Sequence, residues 1–172
     1  VAGLAVPVFL DDWQIECCED PPGPGDQVGW PLVWLGDAAG PGGTEVDWQS
    51  DPLPAEARNE PGDRVLRHGP LAAYWRGLGP APAHGRLLAD VHGGVPDQVP
   101  VVHGTVLAVD VVDQVWRLDG PRTYVPVPGD FRMRRVARGP KWFDGGAAGR
   151  DALPDPVRWD SGVLVRLAVG PR

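Results

Sequence analysis

The chain is poor in most of the residues that usually carry chemistry. Its 172 residues include one lysine (Lys141), one isoleucine (Ile15), one asparagine (Asn59), two serines (Ser50 and Ser161) and two cysteines. Neither serine stands in a Gly-x-Ser-x-Gly context, which excludes the nucleophile turn of the α/β-hydrolases. Gly40-Pro41-Gly42-Gly43 is not followed by a Lys-Ser/Thr pair, so no phosphate-binding loop is encoded. No apolar run approaches the ~20 residues a helix needs to cross a bilayer. The first ten residues are apolar but lack a basic n-region and a small-residue cleavage site, so the expected location is cytoplasmic, with no membrane partner. Val1 in place of Met fits a GTG start codon or a trimmed fragment.

Positive charge is scarce as well. The formal net charge is −7 and the sequence pI about 4.9, whereas nucleic-acid binders present basic patches. The one basic concentration is Arg132, Arg134, Arg135 and Arg138. On a strand, Arg132 and Arg134 share a face and Arg135 takes the other, which reads as a solvated face. A nucleic-acid partner is not expected.

Glycine, proline and tryptophan are in excess. The 24 Gly and 21 Pro make 45 of 172 residues, about twice the ordinary share. They are aperiodic but clustered, so ordered blocks alternate with long loops. Of the eight tryptophans, Trp30 and Trp34 lie on one alternating face and read as core. Trp13 lies in a polar stretch and is the better candidate for an exposed contact residue.

Two-residue alternation marks the strands. Val6, Val8 and Leu10 define the first, within Leu4 to Leu10. Val28, Trp30, Leu32 and Trp34 define a second, which Pro31 confines to an edge or a bulge. Val99 to Trp116 is apolar on both faces, as in a buried central strand. Thr123 to Val127 and Phe131 to Val136 are shorter strands joined at Pro128-Gly129-Asp130, and Val163 to Val169 closes the chain. Glu45 to Trp48 is a short strand candidate. Leu71 to Leu78 reads as two helical turns before Gly79-Pro80, and 36–70 and 144–158 read as long mobile loops. The tripeptide Pro-Gly-Asp recurs from positions 24, 61 and 128 at unequal spacings, which reports turn chemistry rather than a repeat. The expectation is a single mainly β domain over 1–172. Its architecture would be a small antiparallel barrel, SH3-like or OB-like, or a sandwich, with long Gly/Pro-rich loops.

One stretch stands apart. Asp11-Asp12-Trp13-Gln14-Ile15-Glu16-Cys17-Cys18 puts three carboxylates, an amide, a Trp and both cysteines just past the first strand. Were the strand to continue, Asp12 and Gln14 would share a face with Glu16 next along it, and His92 or His103 could act as proton partner in acid–base chemistry. The ordinary alternative is that Asp12 or Gln14 bonds loop backbone. Adjacent Cα atoms lie about 3.8 Å apart, short of the roughly 4.4–6.8 Å that disulfides prefer. Two free thiols are therefore expected at Cys17 and Cys18. Both could hold zinc with His84, His92 or His103 only if the backbone turned there. The residues favoured for binding are Asp11, Asp12, Trp13, Gln14, Glu16, His92 and His103.

The combination Asp11-Asp12-Trp13-Gln14, Cys17-Cys18 and Gly25-Asp26-x-Val28-x-Trp30 resembles an uncharacterised, mainly actinobacterial domain family of unknown function. His92-Gly93-Gly94, Gly104-x-Val106 and Gly162-Val163-Leu164-Val165 follow in the same order. In the family pattern a Gly often follows the cysteines and an aromatic precedes the Gly-Asp; here Glu19 and Pro24 stand instead. The prevalence of residues with GC-rich codons agrees with such a source. The resemblance implies domain bounds of about 6 to 169 and adds nothing on mechanism. The function expected is a non-enzymatic binding or accessory module for a protein partner, without cofactor. The alternatives are a hydrolase-type enzyme using Asp12 or Glu16 with a His, and a zinc-stabilised structural domain.

Overall fold

The computed structural model describes residues 4–37, 39–121, 123–143 and 154–170. β1 (Leu4–Asp11) follows the alternation of its sequence, with Val6, Val8 and Leu10 buried on one face. It runs directly into α1 (Asp12–Cys17), entered through Asp11 in an extended conformation. The second expected strand is cut in two at Pro31. β2 (Gln27–Trp30) pairs with a strand that begins at Val102, and β3 (Leu32–Leu35) pairs elsewhere. Pro31 has no N–H to give a ladder, and its carbonyl instead accepts from the Asp90 N–H at 3.0 Å.

The segment 36–70, expected as loop, holds β4 (Thr44–Glu45), β5 (Gln49–Pro52), a 3-10 turn (Ala55–Ala57) and β6 (Arg64–His68). The short strand expected over Glu45 to Trp48 falls largely between β4 and β5. The two helical turns expected from Leu71 are a strand, β7 (Leu71–Trp75), paired antiparallel to β6 from His68↔Leu71 to Arg64↔Trp75. Leu71, Ala72, Ala73 and Tyr74 are all buried. A strand covered on both faces loses the alternation that would reveal it. β8 (His84–Ala89) and β9 (Val102–Leu118) follow. The two short strands expected between Thr123 and Val136 are one, β10 (Tyr124–Val136), with a register shift between Pro126 and Phe131. β11 (Val157–Val169) ends the sheet. Most of the loop expected over 144–158 lies outside the described residues.

The strand order is β10-β9-β11-β1-β8-β3-β7-β6-β5, with β2 added to β9 and β4 to β8. The fold is mainly β, as expected, but the sheet is open: its end strands β10 and β5 do not pair. That overturns the closed barrel. Both ends carry the features that block further pairing. Every residue of β5 is exposed and it ends in Pro52, while β10 contains Pro126 and Pro128. Nor is the sheet wholly antiparallel, because β1 pairs parallel with β8, and β3 with β7.

The main core gathers Val6, Val8, Leu10, Trp30, Trp34, Leu87, Val109 and Val163, with Ile15 of α1 fully buried among them. A second cluster of Val33, Leu53, Val65, Tyr74 and Val99 lies apart from it. Among the described residues, no helix is long and apolar enough to cross a membrane.

Candidate functional site

The parallel ladder between β1 and β8 builds the site. Val8 pairs with Leu87 and Phe9 with Leu88, so both strands run the same way and end at the same edge of the sheet. The chain leaving β1 becomes α1, and the chain leaving β8 becomes the turn Asp90-Val91-His92-Gly93-Gly94. These two segments, some 75 residues apart in sequence, therefore lie side by side.

Gln14 joins them. Its side chain is 2% exposed. Its Nε2 donates to the Ala89 carbonyl at 2.9 Å and to Asp11 Oδ2 at 3.4 Å, and its Oε1 accepts the Val91 N–H at 2.7 Å. From the other side, the single lysine anchors the end of the helix. Lys141 Nζ donates to the carbonyls of Ile15 (2.5 Å) and Glu19 (3.2 Å), a cation at the negative end of the peptide dipoles. Glu16 Oε1 accepts the Phe143 N–H at 2.9 Å. Neither the uniqueness of Lys141 nor its spacing from α1 marks this role in the sequence.

The expectation that Asp12, Gln14 and Glu16 line one strand face is thus corrected. They lie on a helix, and Gln14 and Glu16 are occupied in bonding backbone. What α1 leaves at the surface is Trp13, 47% exposed, with its ring edge-on to His92 at 5.2 Å between centroids. Beside them are the two cysteines, joined as a disulfide. That corrects the expectation of free thiols. The helix stops at Cys17, and Cys18 takes φ −135°, ψ −17°, so the two side chains do not alternate across an extended chain. Cys18 Sγ lies 3.5 Å from His92 Nδ1. The ligand atoms of Cys17, Cys18 and His92 all lie within 4.8 Å of one another.

The other histidines are elsewhere. His84 faces Glu45, with 3.4 Å between Nε2 and Oε2. His103 sits on β9 opposite Gly29 of β2, where its ring fills the space a Cβ at position 29 would need.

Asp11 is the perturbed carboxyl of the region, raised from 3.8 to about 6. Burial is the main cause. The Gln14 bond opposes it, the neighbouring Asp12 charge adds to it, and Arg86 and Asp90 pull in opposite directions. Arg86 and Asp90 also line a groove of about 680 Å³ with Val33, Leu35, Arg76 and Leu88. Asp90 orders the turn after β8 by accepting the N–H groups of His92 and Gly94, both at 3.2 Å.

A second polar network, unmarked in the sequence, is buried in the smaller core. Asp63, 1% exposed, accepts from the Tyr74 hydroxyl (2.6 Å) and from the N–H groups of Asn59 (2.8 Å) and Glu60 (2.9 Å), all through Oδ2. Burial alone would raise its pKa, but these three donors hold it below the usual value. Two arginines of β10 and one just past its end are paired with carboxylates. Arg134 pairs with Asp160 at 2.6 Å, Arg135 with Asp110 at 2.8 Å, and Arg138 with Asp26 at 2.7 Å.

A family model described as "Family of unknown function (DUF6578)" matches residues 4–169, from the first residue of β1 to the last of β11. No curated protein and no solved structure matches the chain.

Proposed function

We propose that this chain, which belongs to the DUF6578 family of unknown function, is a non-enzymatic binding module that takes a protein partner on the Trp13–His92 surface. The carrying observation is the half-exposed Trp13 ring held edge-on to His92, on a helix anchored from two sides. An exposed aromatic on a rigid support offers large contact area at little entropic cost. Asp12 adjoins Trp13, and the chain as a whole carries −7. A partner segment bearing Arg or Lys suits that surface through the ring face and the flanking carboxylates. The pairing of Arg134, Arg135 and Arg138 with carboxylates counts against a polyanionic partner. The module is proposed to act in the cytoplasm.

Affinity capture with the wild-type chain, Trp13→Ala and Met133→Ala tests the reading. Met133 is an exposed apolar residue on β10. A partner retained by wild type and Met133→Ala, lost with Trp13→Ala and weakened by salt is the expected result. Equal retention by all three chains, or no partner at all, overturns it.

A second reading rests on Asp11. A carboxyl raised to about 6, within reach of the charges of Arg86 and Asp90 that line the groove, suits a general acid or base. It relocates the acid–base alternative from Asp12 and Glu16 to Asp11. Screening against ester, amide and glycoside substrates tests it; any turnover retained by Asp11→Asn excludes Asp11 from the chemistry.

A further inference from the structure

We propose that reduction of the Cys17–Cys18 disulfide opens a site for one thiophilic d10 cation, zinc in the first instance, held by both cysteine thiolates and His92 Nδ1. This goes beyond the partner reading and needs no partner. Two thiolates and an imidazole form a donor set that selects zinc or Cu(I) over harder ions.

The geometry is already close to what the ion needs. Zn–S bonds of about 2.3 Å and Zn–N bonds of about 2.0–2.1 Å at a tetrahedral angle place S and N about 3.6 Å apart. Cys18 Sγ and His92 Nδ1 stand at 3.5 Å. The two sulfurs of a tetrahedral site would lie about 3.8 Å apart, a separation the disulfide forbids and the dithiol allows. The oxidised pair therefore cannot bind as thiolates, and the reduced pair can.

The supports of the site are built in. His92 is set by its N–H bond to Asp90 and by its contact with Trp13. Gln14 ties the cysteine-bearing helix to the residues immediately before His92. All three ligands are exposed, so the ion has an entry path and a fourth position remains for water or an incoming group.

The chemistry balances simply. A dithiol reductant gives two electrons and two protons; the Cys17–Cys18 bond breaks, two thiols form, and the reductant leaves as its own disulfide. A divalent ion then displaces both thiol protons to solvent.

The test uses the full chain, oxidised and phosphine-reduced in parallel, titrated with Co2+ alone and then back-titrated with Zn2+. Expected for the reduced chain is one Co2+ per molecule, with thiolate-to-cobalt charge-transfer absorption displaced by Zn2+; the oxidised chain takes up none. Cys17→Ser and Cys18→Ser lose stoichiometric uptake, and His84→Ala keeps it. His92→Ala loses at least the roughly 10–100-fold in affinity that even an outer-shell partner costs. Circular dichroism checks that each variant is folded. A measurement needing no substitution accompanies it: Zn2+ should slow alkylation of both thiols in the reduced wild-type chain, and a chelator should restore it. The proposal is overturned if reduced chain with two reactive thiols binds no Co2+, if zinc gives no protection, or if His92→Ala binds as tightly as wild type.

Discussion

The Val91 N–H donates to Gln14 Oε1 at 2.7 Å, across 77 positions of sequence. Together with the bond from Gln14 Nε2 to the Ala89 carbonyl, it fixes α1 against the end of β8. One neutral, fully buried amide therefore sets the distance between the cysteines and His92.

Replacing Gln14 should be costly out of proportion to its size. Gln14→Ala leaves a backbone carbonyl and a backbone N–H unpaired at a buried junction, and the expected destabilisation is about 2–4 kcal/mol. Gln14→Leu should do no better despite its similar volume, because the loss is polar. Urea denaturation of the three chains measures it; an unchanged midpoint for Gln14→Leu would show that packing, not bonding, holds the helix.

Asp11 gives the pH dependence a definite sign. The folded chain keeps this proton up to about pH 6, while the unfolded chain releases it near 3.8. The contribution of Asp11 to stability is therefore full below 3.8, declines as pH rises from there to about 6, and is flat above. Asp11→Asn, which can still accept from Gln14, should remove that decline and raise stability at neutral pH by on the order of 2 kcal/mol. Thermal melts of both chains at pH 4.5 and 7.5 would decide it: the variant's advantage must be larger at the higher pH.

Asp63 should be the most sensitive acidic residue. Asp63→Ala strands the Tyr74 hydroxyl and two N–H groups in a buried cluster, an expected loss of about 3–5 kcal/mol. Tyr74→Phe removes only one donor and should cost about 2 kcal/mol. If both variants unfold at the wild-type denaturant concentration, the network is not structural.

Two glycines with positive φ should respond differently to the same substitution. Gly162 (φ 147°) lies at a register shift of β11, and a Cβ there would meet the Leu10 carbonyl oxygen at 2.3 Å, so something must shift. Gly129 (φ 74°) has open space around it. Gly129→Ala should cost about 1–2 kcal/mol, the backbone penalty alone, and Gly162→Ala distinctly more. Equal losses would mean that the sheet adapts freely beside Leu10.

Much of the fold was legible because alternation is local. Val6, Val8 and Leu10, the long apolar run of β9 and the closing run of β11 declare strands without knowledge of their partners. Pro31 pointed to an edge or a bulge within one strand, whereas the structure breaks the strand there into two with different neighbours. β7 was misread because its run from Leu71 to Tyr74 is buried on both faces and has no period. The helix was missed because a single six-residue turn-and-a-half is too short to show one.

The candidate residues of α1 stood out in the sequence by composition alone, as an acidic, aromatic and cysteine-bearing stretch after a strand. Which of them remain free did not, nor did the choice of His92 over His84 and His103, or the junction of Cys17 with Cys18. The approach of His92 depends on the parallel pairing of β1 with β8, and the disulfide on the backbone turn at Cys18 where the helix stops. Side-chain alternation is a property of neighbouring residues, whereas the meeting of Cys18 with His92 is set by ladder direction and register, which are chosen by the whole sheet.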